Sequence, residues 1–300
     1  MLAIAGTPTM ASAQDKLDRA LREGGRSGKV QRVIFKAKPG YDEWARQLLA
    51  KKGKKVDAEM PSIGAFAVEM TPAELKAFCQ DSSLSDGCSE DTTVTTSAAR
   101  GSRTGSNSRA SRTAATTAKV NTLLGTLGLT TNPLAGSGVT VALIDSGIHP
   151  STALGSRIKA FYDFTTGGIV KTRPYDNYGH GTHVAGLIGG VQTGADVEFQ
   201  GVAPGVKFVG LKVLDAKGGG KTSDVIRAIE FAIANKATFG IDIINLSLGH
   251  PIFEPAATDP LVQAVEKATQ AGIIVVASAG NFGVDKNGEV GFGGITSPGN

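Results

Sequence analysis

Residues 177–186 read NYGHGTHVAG, and this stretch decides how the second half of the chain is interpreted. His180 lies between two glycines, and His183 follows three residues later at the start of a run of small apolar side chains. Glycines permit a tight turn, and residues 184–188 suit a helix that packs closely on its neighbours. The pattern predicts a loop that leads into a helix, with the His180 imidazole at the edge of a cleft and suited to proton transfer near neutral pH.

The sequence on both sides of this stretch alternates apolar runs with helical periodicity. Four runs predict buried strands, namely Val139–Ile144, Val206–Leu214, Ile241–Leu246 and Ile273–Ser278. Two stretches between them predict helices, namely Thr222–Lys236 and Pro260–Ala271. Strands that alternate with helices indicate a doubly wound, mostly parallel α/β sheet, in which sites form at the carboxyl ends of the strands.

Residues 28–95 predict a separate, smaller α+β domain with the order β-α-β-β-α-β, which is ferredoxin-like. Its expected strands are Lys29–Ala37, Lys55–Met60, Ala65–Met70 and Asp91–Thr95. A helix is expected over Asp42–Lys52, with Trp44, Leu48 and Leu49 at spacings of four and five. A second helix would begin at a capping box formed by Thr71 and Glu74.

Composition is typical of a globular protein with room for two domains: 300 residues, 41% hydrophobic and 19% charged. Residues 121–300 hold 12 Lys and Arg against 14 Asp and Glu, so the positive excess lies wholly in residues 1–120. A nucleic-acid site would place that charge on the larger domain, so no nucleic-acid partner is expected. No segment approaches 18 consecutive apolar residues, so no membrane span is expected.

Two further segments look like processing elements. Residues 1–13 contain a short apolar patch and end in Ala-Ser-Ala, which predicts a clipped signal peptide or, alternatively, a frayed terminus. Residues 96–120 are rich in Ser, Thr, Ala, Gly and Arg and predict a flexible linker with a processing site, the alternative being a plain linker. Cys79 and Cys88 could form a disulfide in an exported protein or remain free thiols.

Polar residues at the expected strand ends are the candidates for chemistry. Asp145 follows four apolar residues, and the alternatives for it are a ribose contact or a turn cap; no G-x-G-x-x-G follows it. Asn281 is either an oxyanion donor or a turn asparagine. For His180 and His183 a zinc site would need a third ligand, so we predict no metal site and interpret His183 as a buried structural histidine.

The segments VALIDSG (141–147), GHGTHVAG (179–186) and SAGNFG (278–283) resemble the motifs of the subtilisin-like serine proteases, peptidase S8. The resemblance implies that Asp145 orients the imidazole, that His180 acts as general base and then acid, and that Asn281 donates to the oxyanion. Residues 28–95 resemble the family's pro-domain, an inhibitor and folding chaperone, and residues 121–300 its catalytic domain.

Two further segments match the family's substrate-binding segments. They consist of Gly218, Gly219 and Gly220, and of Ser247, Leu248 and Gly249. Both would offer backbone groups to an extended peptide that binds as an added strand. The alternative for the three glycines is a flexible loop before the next helix.

The chain also departs from the family pattern. The nucleophile's setting, Gly-Thr-Ser-x-Ala-x-Pro, does not occur in residues 1–300, and Ser297 lacks the flanking residues. We therefore expect an incomplete catalytic domain and an inactive 300-residue chain. No cofactor is required, and structural calcium stays undecided because the loop after the helix offers only Asp196 and Glu198.

The sequence thus predicts the precursor of a secreted serine endopeptidase that acts on proteins or peptides. Its own pro-domain would bind intramolecularly, and a monomer without membrane contact is expected. The alternative is a catalytically inactive fragment or pseudo-protease whose N-terminal module acts as a protease inhibitor or folding chaperone.

Overall fold

A computed structural model describes residues 16–24, 28–81, 83–96, 122–129, 135–193, 198–281 and 294–300. The described chain forms two compact units: residues up to Thr92 together with Phe253–Gln263, and Thr93–Ile252 together with Ala264–Asn300. The expected signal peptide and nearly all of the expected linker lie outside the described residues. No helix within those residues is both long and apolar enough to span a bilayer.

The first unit is built on a four-stranded antiparallel sheet. Its elements are α1 (Arg19–Gly24), β1 (Gln31–Ala37), α2 (Asp42–Lys51), β2 (Val56–Met60), β3 (Ala65–Met70), α3 (Pro72–Glu74) and β4 (Ser85–Glu90), with a 3-10 helix at Pro61–Ile63 and a π-helix at Leu75–Cys79. The strand order β2-β3-β1-β4 is ferredoxin-like, as predicted. Leu21 of α1, which precedes the predicted module, is buried in the same core.

Local sequence signals account for the helices of this unit. The Thr71 hydroxyl accepts a hydrogen bond from the Glu74 N–H (3.3 Å), and the Glu74 carboxylate accepts one from the Thr71 N–H (2.8 Å), which confirms the capping box. In α2 the buried residues are Ala45 and Leu49, four apart on one face. Trp44 is 45% exposed because it lies one residue off that face.

The last strand of the module differs from the prediction. It is β4, whose sequence SDGCSE is too polar to suggest a strand, and not Asp91–Thr95. Cys88 of β4 is buried in the core and forms a disulfide with Cys79. Thr93–Thr96 instead form β5, which pairs with strands of the second unit.

The second unit carries a mostly parallel six-stranded sheet with order β15-β13-β6-β11-β7-β8, in which only β7 and β8 pair antiparallel. From β5 onwards the elements are β5 (Thr93–Thr96), α4 (Thr122–Thr126), β6 (Thr140–Asp145), β7 (Ile158–Asp163), β8 (Val170–Lys171), α5 (His180–Gly189), β9 (Val191–Thr193), β10 (Glu198–Gln200), β11 (Lys207–Lys212), β12 (Gly219–Lys221), α6 (Thr222–Ala234), α7 (Lys236–Phe239), β13 (Ile241–Leu246), β14 (Leu248–Gly249), α8 (Pro260–Gln270) and β15 (Ile274–Ala277). A 3-10 helix spans Gly155–Arg157. The predicted α/β class is confirmed.

The core of this unit lies around β6, whose six residues are all buried. Val141 and Leu143 of β6 pack with Phe208 of β11 and Ala185 of α5. Each fully buried side chain of this size contributes about 2 kcal/mol through removal of apolar surface from water. These contacts hold β6 between β11 and β13, with Asp145 as its last residue.

Glu254, in the first unit, has a strongly raised pKa. Burial is the main cause, and the carboxylates of Asp259 and Asp18 act in the same direction, against hydrogen bonds with Ser89 and Thr258, so that the pKa of Glu254 rises to about 7. Between about pH 4.5 and 7 the folded unit therefore binds more protons than the unfolded chain. Its stability must fall as pH rises through that window.

We predict that Glu254→Gln stabilises the first unit at pH 8 by up to about 3 kcal/mol and changes little at pH 4.5, since the amide cannot ionise. Urea unfolding followed through Trp44, the only tryptophan of the chain, measures this. Glu69→Gln, on the exposed side of β3, is the matched control and should change neither midpoint. Equal effects of Glu254→Gln at both pH values would contradict the assignment.

Candidate active site

Asp145 is the last residue of the central strand β6, and it is 0% exposed. Its neighbours β11 and β13 run parallel to β6, so the carboxyl ends of three strands meet at this edge. The Ser146 N–H donates a hydrogen bond to Asp145 Oδ1 (2.7 Å). A carboxylate this deeply buried is costly unless further donors reach it.

His180 supplies the second donor. Its Nδ1 lies 2.8 Å from Asp145 Oδ1 and 3.0 Å from Oδ2, and its side chain is 18% exposed. A carboxylate accepts hydrogen bonds, so this contact places the imidazole proton on Nδ1 and leaves Nε2 as the basic nitrogen. The hydrogen bond to Asp145 raises the pKa of His180, and burial opposes the rise.

The start of α5 brings the two side chains together. Gly179 precedes the helix with a φ of 100°, a conformation that favours glycine. A side chain at Gly181 would collide with the Gly147 carbonyl and would put its Cβ 3.1 Å from that of Asp145. Glycine at 181 therefore lets the first helical turn approach the end of β6, and the predicted loop-to-helix transition is confirmed.

His183 does not lie where the sequence analysis expects it. The buried residues of α5 are Gly181, Ala185 and Gly189, and His183 is exposed. At 100° per residue His183 points about 200° away from Gly181, which is nearly the opposite side of the helix. The interpretation of His183 as a buried structural histidine was therefore wrong.

Metal binding stays open. Among the described residues, no group of three or more His, Cys, Asp or Glu side chains could hold a metal ion. Asp196, one of the two carboxylates considered for calcium, lies outside the described residues.

Asn281 follows β15, at the same edge of the sheet as Asp145 but two strands away. Its side chain is exposed. Its assignment as an oxyanion donor stays a prediction. Ser297 is completely buried, and its backbone pairs with that of His250.

The two predicted substrate-binding segments lie on either side of β5. Gly219 and Gly220 belong to β12, and Leu248 and Gly249 form β14. Both strands pair antiparallel with β5, in a three-stranded sheet of order β12-β5-β14. Gly218 lies in the turn before β12, and its carbonyl accepts from Thr96 N–H (3.4 Å). Ser247 precedes β14, and its hydroxyl accepts from the Asn245 amide (3.0 Å).

Side chains of β5 alternate in exposure. Val94 is 0% exposed and Thr96 is 7% exposed, whereas Thr93 and Thr95 are exposed. Thr96 Oγ1 also lies 3.4 Å from the hydroxyl of Tyr178, two residues before His180. The sequence predicted a strand at Asp91–Thr95, which overlaps β5, but assigned it to the smaller domain and so missed its pairing with β12 and β14.

Sequence reasoning also missed a buried lysine beneath the site. Lys212 is 1% exposed, and its Nζ donates to the Ser146 carbonyl (2.6 Å), the Leu214 carbonyl (2.5 Å) and Asn177 Oδ1 (3.0 Å). Burial lowers the pKa of Lys212, and the nearby carboxylates of Asp163 and Asp176 oppose that. The signal available in the sequence was a charge at the end of a buried apolar run.

Comparison with known proteins now adds to this geometry. The profile of the subtilase family, Peptidase_S8, matches residues 136–298, which is more than half of the chain. The chain belongs to the subtilase family. The matched range contains Asp145, His180 and Asn281, together with both segments that pair with β5.

Individual subtilases show the same relationship. Serine protease AprX of Bacillus subtilis is 41% identical over 157 residues, covering 51% of this chain and 35% of that protein. Subtilisin Savinase of Lederbergia lenta is 42% identical over 152 residues, covering 50% of each chain. This subtilase thus spans between about a third and a half of the length of these curated relatives.

The fold comparison extends over more of the chain. The crystal structure of fervidolysin from Fervidobacterium pennivorans, described as a keratinolytic enzyme related to subtilisin, aligns with a TM-score of 0.63. The alignment covers 87% of this chain and 41% of fervidolysin at 19% identity. At this identity the similarity shows a common fold and carries no statement about substrate.

The hydrogen bond between Asp145 and His180 leads to a prediction. In Asp145→Asn the pKa of His180 should fall, because the largest contribution to its rise is lost. An NMR titration of the 300-residue chain, with the His180 signal assigned through His180→Gln, measures the shift. Asp242→Asn, an exposed residue at the opposite end of the sheet, should leave the titration unchanged. An unaltered pKa in Asp145→Asn would refute the contact.

Proposed function

We propose that this subtilase is the precursor of a secreted serine endopeptidase that hydrolyses peptide bonds by acyl transfer. The observation that carries the proposal is the pairing of a fully buried Asp145 with His180 at 2.8 Å, at the carboxyl edge of a parallel sheet. The family match and the proteases among the relatives support it. The disulfide between Cys79 and Cys88 supports an oxidising, extracellular destination.

The proposed chemistry assigns one step to each group. His180 Nε2 takes the proton of a serine hydroxyl as its oxygen bonds to the substrate carbonyl carbon, and the carbonyl oxygen becomes negative. Asp145 holds the imidazole and stabilises its positive charge, and Asn281 donates to the oxyanion. The C–N bond then breaks, and His180 passes the proton to the amine; water releases the acid by the same route.

The serine of this scheme is not assigned to any of residues 1–300. The first test is to read the coding sequence beyond codon 300 for a segment that supplies this serine. An in-frame Gly-Thr-Ser-x-Ala-x-Pro supports the endopeptidase. A stop codon with no such segment in any frame excludes it and leaves the N-terminal module as a protease inhibitor or folding chaperone. In either case we expect that a serine-directed phosphonate does not label the 300-residue chain.

We further propose that β5 occupies the substrate groove of its own chain. A peptide substrate is expected to bind as an extended strand between β12 and β14, and β5 fills that place. The buried Val94 anchors the strand, while Thr95 faces outward. The arrangement supports an inhibited precursor.

Replacement of the general base tests the endopeptidase. In the product of the complete reading frame, His180→Ala should lower proteolysis of casein by at least about 10⁴-fold, since a missing triad member removes proton transfer. Cleavage of the chain within residues 92–120 should stop as well, as measured by mass spectrometry. Continued cleavage there by the pure variant would rule out His180 as the base.

Displacement of β5 tests the inhibited precursor. A fluorescein-labelled peptide with the sequence of residues 89–97 should not bind the 300-residue chain but should bind Val94→Asp, because a buried charge expels the strand and frees the groove. Fluorescence anisotropy measures binding. Thr95→Asp places the same charge on the exposed side and should behave like the parent chain. Equal binding to all three chains would count against occupation of the groove by β5.

A further inference from the structure

Asp176 is a second carboxylate beside the site, four residues before His180 in the loop that leads into α5. Its Oδ1 accepts hydrogen bonds from Ser146 Oγ (3.0 Å), Tyr178 N–H (3.1 Å) and Gly179 N–H (2.8 Å). Its Oδ2 accepts from the N–H (2.9 Å) and the hydroxyl (2.6 Å) of Thr182. Five donors therefore converge on one half-buried side chain.

These donors come from both elements that hold the Asp145–His180 pair. Ser146 is the residue after Asp145, and its hydroxyl also accepts from the Gly181 N–H (2.9 Å), the residue after His180. The backbones of Gly147 and Asp176 form an antiparallel bridge as well. Asp176 and Ser146 thus connect the end of β6 to the first turn of α5.

The charges around this connection are few and of both signs. Burial opposes ionisation of Asp176, but the hydrogen bonds from Thr182, Gly179 and Tyr178 outweigh it and lower the pKa of Asp176. Besides Asp145, the ionised Asp176 also raises the pKa of His180. Lys212 is a cation that faces these carboxylates, and it also interacts with Asp215 on the following loop.

We propose that Asp176 is a positioning residue for His180: it fixes the first turn of α5 to the end of β6 through Ser146 and holds negative charge beside the imidazole. Its importance for catalysis rests on the proposed endopeptidase function. Its effect on His180 does not, because the imidazole can be titrated without any proteolysis. A role in folding alone would leave the titration of His180 unchanged.

The test is an NMR titration of His180 in the 300-residue chain with Asp176→Asn. The amide removes the negative charge and replaces Oδ2, the acceptor for Thr182, so the pKa of His180 should fall. Asp163→Asn is the matched control, since Asp163 is more deeply buried than Asp176 and likewise accepts from a threonine N–H and hydroxyl (Thr165; 2.8 and 2.7 Å). It should cost stability without moving the His180 titration. A His180 pKa that is the same in Asp176→Asn and in the parent chain overturns the proposal.

A second variant, Ser146→Ala, tests the proposal if Asp176→Asn does not fold. Ser146→Ala keeps the charge of Asp176 and removes only the hydroxyl bridge, so the Gly181 amide should exchange its hydrogen about tenfold faster. Unchanged exchange would overturn the proposal. In the product of the complete reading frame, Ser146→Ala should lower kcat about tenfold at constant KM, because a displaced base loses orientation. A change confined to KM would also contradict a positioning role.

Discussion

The second unit depends on the burial of one carboxylate at the end of its central strand. Asp145 has no exposure to water, so its charge is tolerated only while the Ser146 N–H and the His180 ring reach it. That requirement fixes where β6 ends and where α5 begins. It also explains the glycine at 181, since any side chain there would separate the helix from the strand.

A buried lysine near the site also needs hydrogen-bond partners to offset its burial. Lys212 is buried as completely as Asp145, and it is tolerated because two backbone carbonyls and Asn177 surround its ammonium group. The carbonyl of Ser146 accepts from Lys212, while its hydroxyl donates to Asp176. Ser146 is therefore held from both sides, and the orientation of Asp145 follows from that.

Sequence patterns predicted the elements whose signals are local and strong. β13 was placed to the residue at Ile241–Leu246, because four of its six residues are Ile or Leu and Gly240 ends the preceding helix. The capping box at Thr71 was found from a local pattern as well. Asp145 was recognised as a candidate because it ends an apolar strand, and His180 because it begins a helix.

The remaining features depend on partners that are distant in the sequence. β4 is polar and becomes a strand through its pairing with β1 and the disulfide of Cys88, and no local pattern shows either. The exposure of His183 depends on which side of α5 faces β6. Asp176 looks like an ordinary loop charge until the fold places it beside Ser146.

The proposed occupation of the groove by β5 has a consequence for competition. A strand that is part of the same chain occupies its groove at an effective concentration of about millimolar, set by the length and stiffness of the connection and not by the amount of protein. A free peptide must exceed that concentration, or bind correspondingly tighter, to replace it. Once the connection is cut, the same contacts are diluted to the concentration of the released fragment. A single break in the backbone near β5 would thus weaken its occupancy by mass action, with every hydrogen bond to β12 and β14 left in place.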